Sequence, residues 1–455
     1  MNHPESQEII QALRSGLVPR RGLHHFAVGL EPLMEAIEQE LGYVATGKGT
    51  SKWLRGEYGT GKTFATRLLG ARARRMGFAT AEVQVSLNDT PLHHLETVYR
   101  RLIERLETEA DGSGAFKAIV EGWLYQVGEE VARLRGIDED DPSFADATEE
   151  RLEDKLADLS RHNPAFAQAL RGYHRALHEG NFATAQGILA WLAGQPHTDR
   201  SITRIAGLSG KVDGQAALTF LAGLLRLLRQ SGYKGLVVVL DEVETVQRMP
   251  SNSRASALNA LRQLMDMLTD DLPGMYLVVT GTRDFFEGYK GLKSLPPLYQ
   301  RVSVSFGDDP RWDNLRAPQV RLLPFDRDKL VMVGRSVRDL YPAKYPERIT
   351  ARVEDRFLEA LVERVTDGFG GKIEVAPRLF LRELTDVLDR VDQHADFEPA
   401  VHYRIRLEDA DLTPSELAAR HGMPDPGENP GPTETPDSPP APVSSDTVTP
   451  HRLDD

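Results

Sequence analysis

Apolar residues recur along this chain at two spacings, and the alternation between them predicts the order of elements. Glu8 to Leu13 reads as a short helix. Leu33, Ile37 and Leu41 share one helical face and predict a helix from Glu31 to Leu41, followed by a flexible turn from Gly42 to Thr50. Ser51 to Arg55 predicts a short strand. Phe64 to Met76 predicts a helix with Phe64, Leu68 and Leu69 turned inward and Arg67, Arg72, Arg74 and Arg75 on a solvated face, stopped by Gly77. Ala81 to Val85 is the next strand, and Pro91 opens a helix reaching Leu106 with Leu95, Val98 and Leu102 on its stripe.

From Glu107 to about Gln215 the pattern is helical and polar, with helices predicted at Phe116 to Leu134, Thr148 to Leu159, Ala165 to Leu177 and Phe182 to Leu192. Trp123, Tyr125, Tyr173 and Trp191 read as the small core of this stretch, or as a surface for a partner. Ala216 to Arg229 predicts another helix. The run Gly235 to Leu240 is apolar at every position after the glycine, as in a strand covered on both faces of a parallel sheet. A helix from Ser256 to Leu268, a buried strand from Met275 to Thr280 and a short strand around Val302 to Phe306 follow. Beyond Leu322 only helices are predicted, at Asp326 to Leu340, Glu354 to Thr366 and Pro377 to Leu388, with Pro324 and Phe325 as the hinge. The Pro-, Ser-, Thr- and acid-rich segment after Asp411 buries too little apolar area to order itself. The expected fold is therefore α/β, a parallel sheet flanked by helices. It divides into a first part of the core to residue 106, a helical insertion over 107–215, a second part of the core over 216–321, a helical lid over 322–410 and a disordered tail over 411–455.

Composition narrows the class. The chain has 455 residues and no cysteine, which excludes disulfides, thiolate metal sites and cysteine nucleophiles. No apolar run approaches the ~20 residues of a membrane span and no secretory h-region is visible, so a cytoplasmic location is expected. A net charge of -13 argues against sequence-blind DNA coating and leaves room only for a local basic patch. His24 and His25 lack a carboxylate at ligand spacing and read as structural or surface residues.

The candidate chemistry begins at Gly56-Glu57-Tyr58-Gly59-Thr60-Gly61-Lys62-Thr63, which fits G-x-x-x-x-G-K-[ST] at every fixed position. Its glycines let backbone N–H groups converge on a phosphate chain, Lys62 reaches the β- and γ-phosphates, and Thr63 offers its hydroxyl to Mg²⁺. Phe64 continues the cradle into the following helix. The strand ending in Asp241-Glu242 supplies the complementary acids, Asp241 holding Mg²⁺ through water and Glu242 polarising the attacking water. Thr280, at the end of the next buried strand, is placed to orient that water, with Thr282 as its competitor. Arg301 either reaches a neighbouring subunit's γ-phosphate as an arginine finger or forms a surface salt bridge. Arg378 either contacts nucleotide from the lid in cis or is a helix-start surface arginine. A kinase reading lacks a visible acceptor site.

Gly56 to Thr63, Asp241-Glu242, Thr280 and Arg378 resemble Walker A, Walker B, sensor 1 and sensor 2 of an AAA+-type ATPase. Longer strings narrow this further: Glu8 to Gly16 with Val18-Pro19, His25-Phe26-Ala27-Val28-Gly29, the loop itself, and Ser86-Leu87-Asn88-Asp89. These are similar to the ATP-binding proteins of bacterial BREX phage-defence systems, of the BrxD type with relatives in the larger BrxC. The resemblance implies ATP and Mg²⁺ as cofactors, Val28 and Gly29 against the adenine, other defence-system proteins as partners, and a switch or motor, with a homo-oligomer open. Two other readings are a nucleotide-gated adaptor that hydrolyses little and a DNA-loading ATPase resembling origin-recognition proteins. The acidic charge and the lack of an evident helix-turn-helix after the lid count against the latter.

Overall fold

The computed structural model describes residues 3–208, 210–368 and 377–405, together with 409, 412, 417, 420 and 421. The predicted tail lies outside the described residues except at 412, 417, 420 and 421.

The chain opens with helices α1 (His3–Arg14) and α2 (Glu31–Ala45). Then come strand β1 (Thr50–Arg55), helix α3 (Lys62–Arg75), strand β2 (Ala79–Gln84), helix α4 (Leu95–Glu104) and a two-residue strand β3 (Leu106–Glu107). Among the described residues six helices follow without a strand: α5 (Phe116–Arg135), α6 (Phe144–His162), α7 (Pro164–His178), α8 (Phe182–Leu192), α9 (Arg200–Ile205) and α10 (Gly214–Gln230). The sheet resumes with β4 (Leu236–Asp241), α11 (Ser251–Met267), β5 (Met275–Gly281), α12 (Arg283–Glu287), α13 (Pro296–Val302) and β6 (Gln319–Arg321). Helices α14 (Arg327–Leu340), α15 (Pro346–Arg352), α16 (Asp355–Asp367), α17 (Pro377–Gln393) and α18 (Pro399–His402) complete the described chain.

The fold is mixed α/β, a six-stranded sheet in the order β3-β2-β4-β5-β1-β6. Every neighbouring pair is parallel except β2 with β3. Strands β4 and β5 are buried along their whole length, which explains their uninterrupted apolar sequence. Successive side chains of a strand point to opposite faces, and the two cores divide accordingly. Leu236, Val238, Leu240, Leu277 and Val279 join α4 to α8 and α10 on one face. Val237, Val239, Tyr276 and Val278 join α1 to α3 and the C-terminal helices on the other.

The strands differ from expectation in three places, the first being β3, which takes Leu106 where a helix was expected to end. The alternation of Val302, Val304 and Phe306 predicts a strand, but Val302 ends α13, a helix begun by Pro296 and Pro297 with Leu298 and Val302 buried one turn apart. The edge beside β1 is taken by β6 instead. Helix boundaries shift where burial overrides local propensity. Helix α2 runs through Gly42 because Leu41 and Val44 are both fully buried, and the chain turns at Pro91, where the His94 N–H donates to the Pro91 carbonyl, before α4 starts at Leu95. Of the α3 arginines, Arg75 is exposed as expected, but the other three are tied down. Arg72 pairs with Glu31 at 2.7 Å and Glu38 at 3.0 Å, Arg74 with Glu107 at 3.0 Å, and Arg67 donates to the Val18 carbonyl at 2.8 Å. Trp123, Tyr173 and Trp191 are buried in the α5–α10 region, whereas Tyr125 is exposed.

One buried charge on β1 braces the sheet beside the site. Lys52 Nζ meets Glu40 at 2.5 Å and donates to the Ala317 and Leu315 carbonyls at 2.8 and 3.1 Å, while the Tyr276 hydroxyl donates to Glu40 at 2.6 Å. All three ammonium hydrogens find acceptors, so the lysine is tolerated in the interior, and the segment leading into β6 is fastened to β1.

Candidate functional site

The stretch from Gly56 to Gly61 connects the end of β1 to the start of α3. Gly59 and Gly61 hold φ of 82° and 84°, a region side chains avoid, and a Cβ at Gly56 would stand 2.3 Å from Thr60 Oγ1. The Gly56 N–H donates to the Gly281 carbonyl at 3.0 Å, tying the loop to the end of β5, and Thr60 Oγ1 donates to the Glu57 carbonyl at 2.8 Å. The loop thus curls around the N-terminus of α3, where unpaired N–H groups and the helix dipole favour an anion. Lys62, the first residue of α3, is buried; its ammonium donates to the Gly56 and Glu57 carbonyls at 2.7 and 3.2 Å and lies 5.0 Å from the Tyr58 ring centre.

The acids arrive from the sheet. Parallel pairing of β1 with β5 and of β5 with β4 brings the C-terminal ends of three strands to one edge of the sheet. Thr63 Oγ1 donates to Asp241 Oδ2 at 3.0 Å, joining the loop to the acid-bearing strand across 178 residues. Thr280 Oγ1 donates to Asp241 Oδ1, and the Glu242 N–H donates to both Asp241 Oδ1 and Thr280 Oγ1 at 3.1 Å. Asp241 and Thr280 are buried and Glu242 is half-buried. Among the described residues, Glu242 is the only non-glycine with positive φ, at 58°. A long side chain held there costs free energy, and the surrounding hydrogen bonds impose it. Thr282, the competitor of Thr280, is buried with its hydroxyl unpartnered and takes no part in this knot.

Val28 and Gly29 line a cavity that opens against Thr60, Gly61 and Phe64 of the loop and helix. Phe26 packs on Phe64 at 5.5 Å between ring centres, and the opposite wall comes from Leu322, Phe325 and Lys329, with Arg311 and Arg321 at its border. An apolar slot bordered by the Arg321–Asp313 and Arg311–Asp309 ion pairs, beside a glycine loop at a helix N-terminus, could take a nucleoside polyphosphate: the base between apolar walls, the phosphates at the helix N-terminus. The Thr63 hydroxyl and the Asp241 carboxylate are hard oxygen donors, the set that suits Mg²⁺. The residues after β6 were not anticipated from the sequence, although Pro324-Phe325, read as a hinge, marks the place.

The two distal arginines lie elsewhere. Arg301, exposed on α13, pairs with Asp266 of α11. Arg378, half-buried at the start of α17, packs so close to Gly16 that a Cβ there would stand 3.1 Å from its guanidinium. Neither lines the cavity.

Glu244 is the residue the sequence reading missed. It sits in the 3-10 helix Val243–Arg248 between buried Val243 and Val246, 5% exposed, with neither carboxylate oxygen hydrogen-bonded and Lys62 Nζ 3.9 Å away. An acid between two buried valines is the signal that could have found it. Burial raises this carboxyl to about 7; Lys62 and the nearby N–H of Glu244 itself oppose the rise, and Asp241 and Glu242 add to it. Between the ordinary carboxylate range and about 7 the folded chain therefore binds the extra proton, and stability falls as pH rises through that window. Glu244→Gln removes the penalty. Its stability relative to wild type should grow from pH 5 to pH 8 by roughly 2 kcal/mol in denaturant unfolding; an advantage independent of pH would show that the carboxylate is not forced to ionise in the interior.

Comparison with known proteins adds one finding. The model of a family described as BREX system ATP-binding protein BrxC/D matches residues 1–406. No curated protein matches the chain.

Proposed function

We propose that this chain, which belongs to the BREX system ATP-binding protein BrxC/D family, hydrolyses ATP with Mg²⁺ and uses the cycle as a switch or motor in phage defence. The observation that carries the reading is the knot of Thr63, Asp241, Thr280 and Glu242 beside Lys62, which unites a phosphate loop with a strand-end acid pair. In this reading the loop N–H groups and Lys62 hold the phosphates, and Val28, Gly29 and Phe325 enclose the base. Thr63 and Asp241 hold Mg²⁺, which would neutralise charge on the phosphates. Glu242, aimed by its backbone contacts to Asp241 and Thr280, takes the proton of the attacking water.

The arrangement supports an AAA+-like organisation in which residues 322–410 act as a lid hinged at Pro324 and Phe325, residues 107–215 are an insertion into the core, and other defence-system proteins bind the moving parts. Arg378 would reach nucleotide only if α17 moves relative to the core, and Arg301 only in a neighbouring copy. No helix among the described residues is long and apolar enough to cross a membrane.

Purified full-length protein should bind ATP and release phosphate with Mg²⁺ and stop when EDTA removes the metal. Binding without phosphate release would favour the nucleotide-gated adaptor, and absence of both would end the nucleotide reading.

A further inference from the structure

Glu244 belongs neither to the phosphate loop nor to the Asp241–Glu242 pair, yet it is the most anomalous polar group beside them. A buried carboxylate with no hydrogen bond to either oxygen destabilises a fold, and an apolar residue of similar volume would remove the penalty. The position is well defined: Val243 and Val246 are fully buried on either side, so the turn cannot rotate the acid out to solvent. What it faces is the Lys62 ammonium, 3.9 Å away. That ammonium has three N–H donors, and the Gly56 and Glu57 carbonyls already accept from it.

We infer that Glu244 weakens the hold of the loop on nucleoside polyphosphates by competing with the phosphates for Lys62, and so sets how readily nucleotide exchanges. The inference rests on the reading of Gly56 to Thr63 as an ATP site. To reach a phosphate the ammonium must turn from two carbonyls and from the field of a carboxylate that has no other cation beside it among the described residues. The same carboxylate repels the phosphates directly. Both effects oppose binding of any phosphate chain, ADP and ATP alike, and neither depends on the base. Glu244 is a positioning residue here: it acts through Lys62 rather than on the reacting atoms.

The sign of the effect separates this role from a structural one, since damage to the site weakens binding whereas removal of the competing charge strengthens it. At pH 8, where the carboxylate is ionised, calorimetric titration of the full chain with Mg-ADP should give a dissociation constant about fivefold lower for Glu244→Gln than for wild type, from loss of one unit charge in a partly screened site. Glu244→Met, apolar and of similar length, should tighten binding likewise, and Glu244→Asp, which keeps the charge, should stay near wild type. Steady-state kinetics should show the gain in KM for ATP and not in kcat. Equal or weaker Mg-ADP binding by folded Glu244→Gln and Glu244→Met, judged by circular dichroism, overturns the inference while leaving the ATP site intact. If wild type itself fails to bind Mg-ADP or Mg-ATP, this inference and the reading beneath it fall together.

Discussion

Lys62→Ala should reduce ATP affinity by about a hundredfold or more, the worth of charge-assisted hydrogen bonds from one buried ammonium to a polyphosphate. The lysine is 8% exposed at the first turn of α3, where the loop N–H groups converge, so no solvated neighbour replaces its charge. The substitution also strips Glu244 of the cation at 3.9 Å, which leaves its carboxyl pushed further toward the neutral form by burial. The variant should therefore remain folded at neutral pH, its acid taking up a proton instead of standing as an isolated buried charge. Equilibrium binding of a fluorescent ATP analogue, with unfolding curves on the same samples, checks both halves. Near-wild-type affinity in a folded Lys62→Ala protein would mean that the phosphates do not lie at this helix terminus.

Glu242→Gln should behave in the opposite way, retaining ATP while losing turnover by about two to four orders of magnitude, the usual contribution of a positioned general base. The backbone N–H of residue 242 makes the contacts to Asp241 and Thr280, and glutamine keeps that N–H. The change is thus confined to the proton-accepting group, and the left-handed backbone at φ 58° is preserved. Single-turnover hydrolysis with prebound Mg-ATP separates the chemical step from binding and release. If binding and turnover fall together, residue 242 acts on the architecture of the β4 end and not on the water.

Features that depend on local sequence were visible in the chain before its fold was known. The phosphate loop has fixed glycines and a fixed lysine, and β4 and β5 read as covered strands because nearly every position is apolar. Their ends therefore pointed to Asp241 and Thr280, which meet Thr63 in the structure. What sequence could not supply is set by distant packing. Strand β6 is three residues long and owes its existence to the open edge of β1. The 302–306 alternation found no such edge, and the double proline at 296 and 297 made its start helical. The cavity wall of Leu322, Phe325 and Lys329 likewise exists because the chain returns past the loop after β6. The valines beside Glu244 hint at its burial, but its partner Lys62 lies 182 positions earlier, so the pairing was not legible in the sequence.

The strand order also dictates when this protein can fold during synthesis. Strands β1 and β2, early in the chain, do not pair with each other: β2 has only the two-residue β3 beside it until β4 arrives, and β1 waits for β5, with Thr50 opposite Tyr276. Until the ribosome has delivered most of the sheet, the apolar β1 residues Trp53 and Leu54 have no strand partner, which exposes a nascent edge to misassociation. The α5–α10 helices, with contacts among sequence neighbours such as α7 with α8, emerge in that interval and can collapse early because their loops are short. The site therefore forms as a late event of biosynthesis, closed when β5 fills the place between β4 and β1 and so brings the Asp241 end of one beside the loop that follows the other.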